Sequence, residues 1–171
     1  MTLTIPTLET ERLILRPHKS SDFDLYADFF ASDRAAHMGQ LKRRHAWYSF
    51  TSDVAQWVLF GHGAWAIELK TNQEFAGQVA LLKPDHFPEL ELGWFVLNDY
   101  EHQGIAYEAA VAARQFAYSD LGTASLVSYI TPENTRSIAL AERLGARPDP
   151  DAARDDPADV VYRHPAPEAL Q

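Results

Sequence analysis

The tract His102-Gln103-Gly104-Ile105-Ala106 stands between a polar turn, Asn98-Asp99-Tyr100-Glu101, and an alanine-rich run broken by Ile105, Val111 and Phe116. A glycine at the first turn of a helix lets a ligand approach the main chain. The N–H groups there lack helical acceptors and the helix dipole adds positive potential, so the tract is suited to a phosphate. Local sequence alone does not decide the matter, because most glycines beside helix starts only relieve crowding. Further on, Pro132-Glu133-Asn134 opens another helical stretch, and Asn134 has the chemistry of an N-cap. The seven histidines show neither an HExxH spacing nor a close pair, so no metal site is expected. The absence of cysteine removes disulfides, thiolate metal sites and cysteine nucleophiles together.

Elements of definite length must position these residues. Leu90 to Leu97 is an apolar run of strand length, and it feeds the polar turn. Gln103 to Asp120 reads as a helix with Ala106, Ala109, Ala110, Ala113, Phe116 and Ala117 on one face, stopped by Leu121-Gly122. At the start, Leu8 to Arg16 alternates like a strand, with Leu13 and Leu15 on one side, and ends at Pro17. Ser20-Ser21-Asp22 reads as a helix cap, followed by an aromatic stripe of Phe23, Tyr26, Phe29 and Phe30 to about Ala31.

Residues Ser32 to Arg44, with the basic cluster LKRR, read as a loop. A helix from about Ala46 to Phe60 follows, with Trp47, Phe50, Val54, Trp57 and Val58 at helical spacing and Gly61 at its end. Strand signals come at Ala64 to Lys70 and Phe75 to Lys83, joined by the hairpin turn Thr71 to Glu74. Ala124 to Ile130 reads as a buried strand, and the helix after Asn134 turns Ile138, Ala141 and Leu144 inward and ends at Gly145. Pro148 to Asp159 reads as a mobile loop, Val160 to Tyr162 as a last strand, and 165–171 as a frayed tail.

This order, β-α-α-β-β-β-α-β-α-β, implies an α/β (α+β) fold: a mixed, mostly antiparallel sheet flanked by about four helices. A chain of 171 residues suits one domain, 1–171, with a core of about 8–164. A doubly wound nucleotide-binding fold is not expected, because no glycine-rich turn follows the first strand. The formal charge of −9 argues against nucleic acid and anionic membrane as partners, though it would suit a cationic substrate. The opening MTLTIPTLETERL lacks the pattern of a leader peptide and no run reaches spanning length, so a cytoplasmic protein is expected.

Two segments, LELGWFVLNDYEHQGIAYEA and SYITPENTRSIALAERLGA, in that order, resemble the GNAT superfamily of acyl-CoA-dependent N-acetyltransferases. The opening TLETERLILRP is similar to the branch with the RimJ/RimL-type enzymes. The resemblance implies acetyl-CoA as donor, with CoA as product, and an amine-bearing acceptor such as a protein N-terminus or small-molecule amine. It leaves room for a homodimer. It places the CoA pyrophosphate on the backbone of the loop His102, Gln103, Gly104, Ile105 and Ala106, with Tyr107 next to it. The strand before the loop is expected to carry a bulge and to splay from its neighbour. Phe95, Val96 and Leu97 would then offer backbone groups to the pantetheine arm. Glu101 stands where Gln or Arg is preferred, and a carboxylate there is expected to face away from the anion.

By the same resemblance Asn134 lines the acetyl-CoA site or simply caps its helix. Arg143 reaches the 3′-phosphate or complements the helix end. Ala141 to Leu144 lacks the tyrosine found in many relatives, which leaves Ser137 or a water to protonate the departing thiolate, although serine is also common in a first helical turn for no catalytic reason. Glu91, in a Glu-x-Gly-Trp pattern, is the first candidate base, against an ion pair across the sheet, with His86 and Glu68 behind it. A strand N–H near Phe95 or Val96 would polarise the thioester. Trp47, Trp65 and Trp94 could wall the acceptor site, or be core. A non-catalytic acyl-CoA-binding protein and use of another donor, such as succinyl-CoA with the LKRR cluster, remain the alternatives.

Overall fold

The computed structural model describes residues 4–171, so the first three residues of the stretch read for a leader lie outside it. Eight strands form a single sheet. They are β1 (Leu8–Glu9), β2 (Leu13–Arg16), β3 (Ala64–Leu69), β4 (Phe75–Leu82), β5 (Glu91–Val96), β6 (Val127–Ile130), β7 (Arg147–Pro148) and β8 (Val160–Arg163). The helices are α1 (Phe23–Ala31), α2 (Arg43–Phe60), α3 (Ile105–Ser119) and α4 (Thr135–Arg143). The strand order is β1-β2-β3-β4-β5-β6-β8-β7. Every neighbouring pair is antiparallel except β5 and β6, which run parallel with one register pair, Glu91 opposite Val127. Beyond that pair the two strands splay.

Helix α3 lays Ala109, Ala110, Ala113, Phe116 and Ala117 on one face of the sheet, against Leu13, Leu15, Ile67, Val79 and Leu92. Small alanines let the helix approach closely, while Ala106 stays half-buried near the open end. On the other face, Phe23, Tyr26, Phe29 and Phe30 of α1 meet Phe50 of α2 and Phe95 of β5. Phe29 stacks on Phe95 with ring centroids 4.3 Å apart. The expected aromatic stripe is therefore core, and it fixes both N-terminal helices over the end of β5. No helix among the described residues is long and apolar enough to cross a membrane.

Several boundaries differ from expectation. Leu8 to Arg16 is not one strand but a hairpin, Leu8 opposite Leu15, because Thr10 and Arg12 turn to meet Glu108 of α3. Asp22 does not cap α1 with its side chain. It takes two hydrogen bonds from the Arg16 guanidinium instead, at 2.8 and 2.9 Å. Helix α2 begins at Arg43, not Ala46, and is apolar around much of its circumference, so Trp47 and Val58 at helical spacing are nevertheless exposed. The strand expected from Ala124 shortens to Val127–Ile130.

The bulge expected in β5 is absent there, since six consecutive pairs join β5 to β4. The register shift lies instead between β3 and β4, where Ile67 and Glu68 face Gly77 and Phe75 and Ala76 of β4 is the extra residue. The stretch from Pro148 to Asp159 is tied down rather than loose. Arg154 donates to the carbonyls of Asp149, Pro150, Ala152 and Asp159, and Arg163 pairs with Asp149 at 2.6 Å. The tail from Pro165 includes a 3-10 turn, Pro167–Leu170.

Candidate active site

At the start of α3 the chain passes through two left-handed residues, His102 with φ 58° and Gly104 with φ 74°. The first bond of the helix runs from the Glu108 N–H to the Gly104 carbonyl at 3.0 Å. The N–H groups of Ile105, Ala106 and Tyr107 consequently have no partner within the helix. Gly104 to Tyr107 line a groove of about 490 Å³ between α3 and α4. Three arginines, Arg34, Arg136 and Arg143, line it together with three carboxylates, Asp33, Glu101 and Glu133. The Arg143 guanidinium lies 4.4 Å over the Tyr107 ring. Glu101 does not face away as expected. Its carboxylate lies in the groove, paired with Arg34 and Arg136.

The β1–β2 turn bolts this loop in place. The Thr10 hydroxyl and the Arg12 N–H both donate to Glu108 Oε1, at 2.6 and 2.8 Å, and Arg12 Nε donates to Oε2 at 2.7 Å. Arg12 Nη1 donates to the Gln103 carbonyl at 2.8 Å, and the Gln103 side chain donates to the Asp99 carbonyl at 2.9 Å. Burial works to raise the Glu108 carboxyl, but the bonds from Thr10 and Arg12 outweigh it and hold the group below the usual carboxylate range.

Across β5 lies a second cavity of about 650 Å³, enclosed by α1, α2, β4, β5, β6 and the 149–159 segment. Both hollows reach Trp94, Phe95, Asn134 and Ser137, so they meet at the splay. The Leu97 N–H donates to the Ala76 carbonyl at 2.8 Å, which fixes the alternation of the β4–β5 ladder. Phe95 and Leu97 therefore turn their backbone groups toward β4, whereas those of Trp94 and Val96 face the gap. Of the three residues expected to serve the pantetheine arm, only Val96 turns its backbone groups to the gap, with Trp94 beside it. Arg34 donates to the Val96 carbonyl at 3.1 Å.

Glu91 lines the cavity beside the splay, where the Tyr129 N–H donates to its Oε1 at 3.2 Å. Burial, with the charges of Asp53 and Asp159 added, pushes its carboxyl up to about 8 despite that bond. Asp53, on α2, lines the same cavity and accepts from Gln78 Nε2 at 3.1 Å. Burial pushes it up to about 7. No local pattern singles out Asp53, nor Arg34 and Arg136. They become visible only when helices and strands distant in sequence are brought together.

The other candidates divide. Ser137 and Asn134 stand where the hollows meet, and the Asn134 side chain also caps α4, accepting from the Ser137 N–H at 3.3 Å. His86 lines the cavity. Glu68 does not: it pairs with Arg16 and is withdrawn from the base role. Trp94 borders both hollows, whereas Trp65 is core with its N–H on the Pro6 carbonyl, and Trp47 is exposed away from the cavity. Arg43 of the LKRR cluster stacks on Phe23 and pairs with Asp24 at the surface, so it serves neither hollow.

Residues 12–147 match the family described as "Acetyltransferase (GNAT) domain". The crystal structure of an acetyltransferase from Agrobacterium tumefaciens str. C58 is 45% identical, with a TM-score of 0.92 over 96% of this chain and 97% of that one. RimL, a ribosomal L7/L12 α-N-protein acetyltransferase solved in complex with coenzyme A, is 15% identical with a TM-score of 0.70, over 94% and 96% of the two chains. At that identity the likeness is one of fold. Protein YkkB of Bacillus subtilis (strain 168) is 27% identical over 88 residues, 50% of this chain, which spans about half (51%) of that curated relative's length.

Proposed function

The chain belongs to the GNAT acetyltransferase family, and from that membership we propose that it moves an acetyl group from acetyl-CoA to a primary amine by direct attack in a ternary complex. One observation carries the reading. A groove that holds the free amides of a helix N-terminus and the Arg143 guanidinium meets an acidic cavity at the unpaired edge of β5, which is where an anionic donor and a cationic acceptor must touch.

The fit to CoA rests on the free N–H groups of Ile105, Ala106 and Tyr107, which supply an anion seat suited to the pyrophosphate. Arg143 adds positive charge beside it, while Arg34 and Arg136 are paired with Glu101. The Trp94 and Val96 backbone groups at the open edge suit an amide-bearing arm. An acceptor ammonium has no lone pair, so it must first lose a proton. Glu91, raised toward neutral pH, is placed to accept it. The amine nitrogen then bonds to the acetyl carbon while the carbon–sulfur bond breaks. An edge N–H of Trp94 or Val96 offsets the charge developing on the carbonyl oxygen. The Ser137 hydroxyl, at the meeting point, is the candidate to return a proton to the departing thiolate.

An amine panel with detection of released thiol tests the proposal. The expected result is thiol release that depends on both acetyl-CoA and an amine. Saturating CoA should also raise the melting temperature. CoA binding without transfer to any amine would instead favour a non-catalytic acyl-CoA-binding protein.

A further inference from the structure

The proposed chemistry uses Glu91 but leaves Asp53 unexplained. Asp53 projects from α2 into the cavity, and the fold orients it through a buried amide. His18 Nε2 donates to Gln78 Oε1 at 2.9 Å, so the Gln78 amide group must point its N–H toward Asp53, at 3.1 Å. Gln78 is 6% exposed, so a chain of buried polar groups ends in this one carboxylate. Its hydrogen-bonding partners are neutral, and among the described residues no lysine or arginine lines the cavity. Asp155, Asp156 and Asp159 add three more carboxylates to its lining.

A carboxylate held in a cavity without a cation is costly, and two that face one cavity raise each other. The reacting nitrogen gives its proton to Glu91 and loses its charge, so it leaves Asp53 without a cation. Resting on the acetyltransferase reading, we propose that Asp53 is a specificity-determining residue that holds a second cation of the acceptor, which is therefore an aliphatic diamine or polyamine. The reacting nitrogen lies by Glu91 and the splay, and the distal ammonium lies by Asp53. An amine that carries its own carboxylate nearby, as a free amino acid or an acidic peptide N-terminus does, brings a further negative charge into an acidic cavity and is rejected.

The test compares a diamine series of four to eight carbons and linear triamines with monoamines of matched length and with acidic and basic peptides. Transfer is read by thiol release, and binding to the CoA-saturated protein by calorimetry. Wild-type kcat/KM is expected to favour the best diamine over its matched monoamine by at least tenfold, mainly through KM. Asp53→Asn should reduce kcat/KM for the diamine at least ten times more than for the monoamine, with Asp53→Glu restoring part of the preference. Equal use of monoamines and diamines, a preference for acidic peptides, or equal losses for both amines in Asp53→Asn would overturn the assignment while leaving the acetyltransferase reading intact. Diamine binding that needs Asp53 but gives no transfer would support the assignment and sink that reading. Absence of both preferential binding and preferential transfer overturns the assignment.

Discussion

Glu91 stands opposite Val127 in the one register pair that joins β5 to β6 among the described residues, and beyond it the strands separate. The carboxylate is thus fixed by the sheet at the edge of the gap, with the Tyr129 N–H on one oxygen.

That placement predicts a pH profile. With Glu91 raised to about 8, the base is in its active form only as pH passes that value, so kcat/KM should rise toward about pH 8. Glu91→Gln should lower kcat by about 10²- to 10³-fold and leave a profile that follows the acceptor's own ionisation. An unchanged profile in the variant would assign the base elsewhere, with His86 next in line.

The same two acids should appear in stability. Glu91 and Asp53 rise to about 8 and about 7 in the folded state, from ordinary carboxylate values of 4.5 and 3.8. The folded protein therefore holds their protons more tightly than the unfolded chain does. Their contribution is fully present below those ordinary values and is lost as pH rises through the folded ones. Allowing for solvent at the cavity, roughly 1–2 kcal/mol, the melting temperature should fall about 2–8 °C between pH 5 and pH 8. Asp53→Asn with Glu91→Gln should flatten that slope, as a thermal-denaturation series at several pH values would reveal.

The loop before α3 gives a prediction with a built-in control. Gly104 has φ 74°, so any side chain there incurs strain of about 1–2 kcal/mol. An added Cβ would meet Arg12 Nη2 only at 3.4 Å, so Gly104→Ala should fold and retain CoA binding. Gly104→Glu places negative charge beside the free N–H groups and should weaken CoA by more than about 10²-fold. Equal CoA affinity in two folded variants, measured by titration calorimetry, would remove the anion seat from the account.

Asn134 and Ser137 should separate structural from chemical roles. Asn134→Ala removes the cap of α4 and should cost about 1 kcal/mol, or about 2–4 °C in melting temperature. Ser137→Ala should leave stability nearly unchanged and lower kcat about tenfold with little effect on the KM for acetyl-CoA. A loss confined to KM would make Ser137 a binding group.

Much of this architecture is legible in the sequence where the signal is local. The Phe23-Tyr26-Phe29-Phe30 stripe, the Gly61 helix stop, the Asn134 cap and the turn at Gly104 each follow from periodicity or backbone freedom within a few residues. Signals that depend on tertiary context were not legible. Trp47 and Trp57 share a helical pattern, yet one is exposed and the other core, because α2 is apolar around much of its surface. Glu108 looks like any helix carboxylate until the fold brings Thr10, 98 positions away, onto its oxygen. Asp53 acquires meaning only when β4 presents Gln78 to it.

The account stands most directly on where CoA lies. A crystal structure of the CoA complex should show pyrophosphate oxygens on the N–H groups of Ile105, Ala106 and Tyr107, and the thiol at the splay between Trp94 and Ser137. Coenzyme bound elsewhere, with those N–H groups facing solvent, would contradict it.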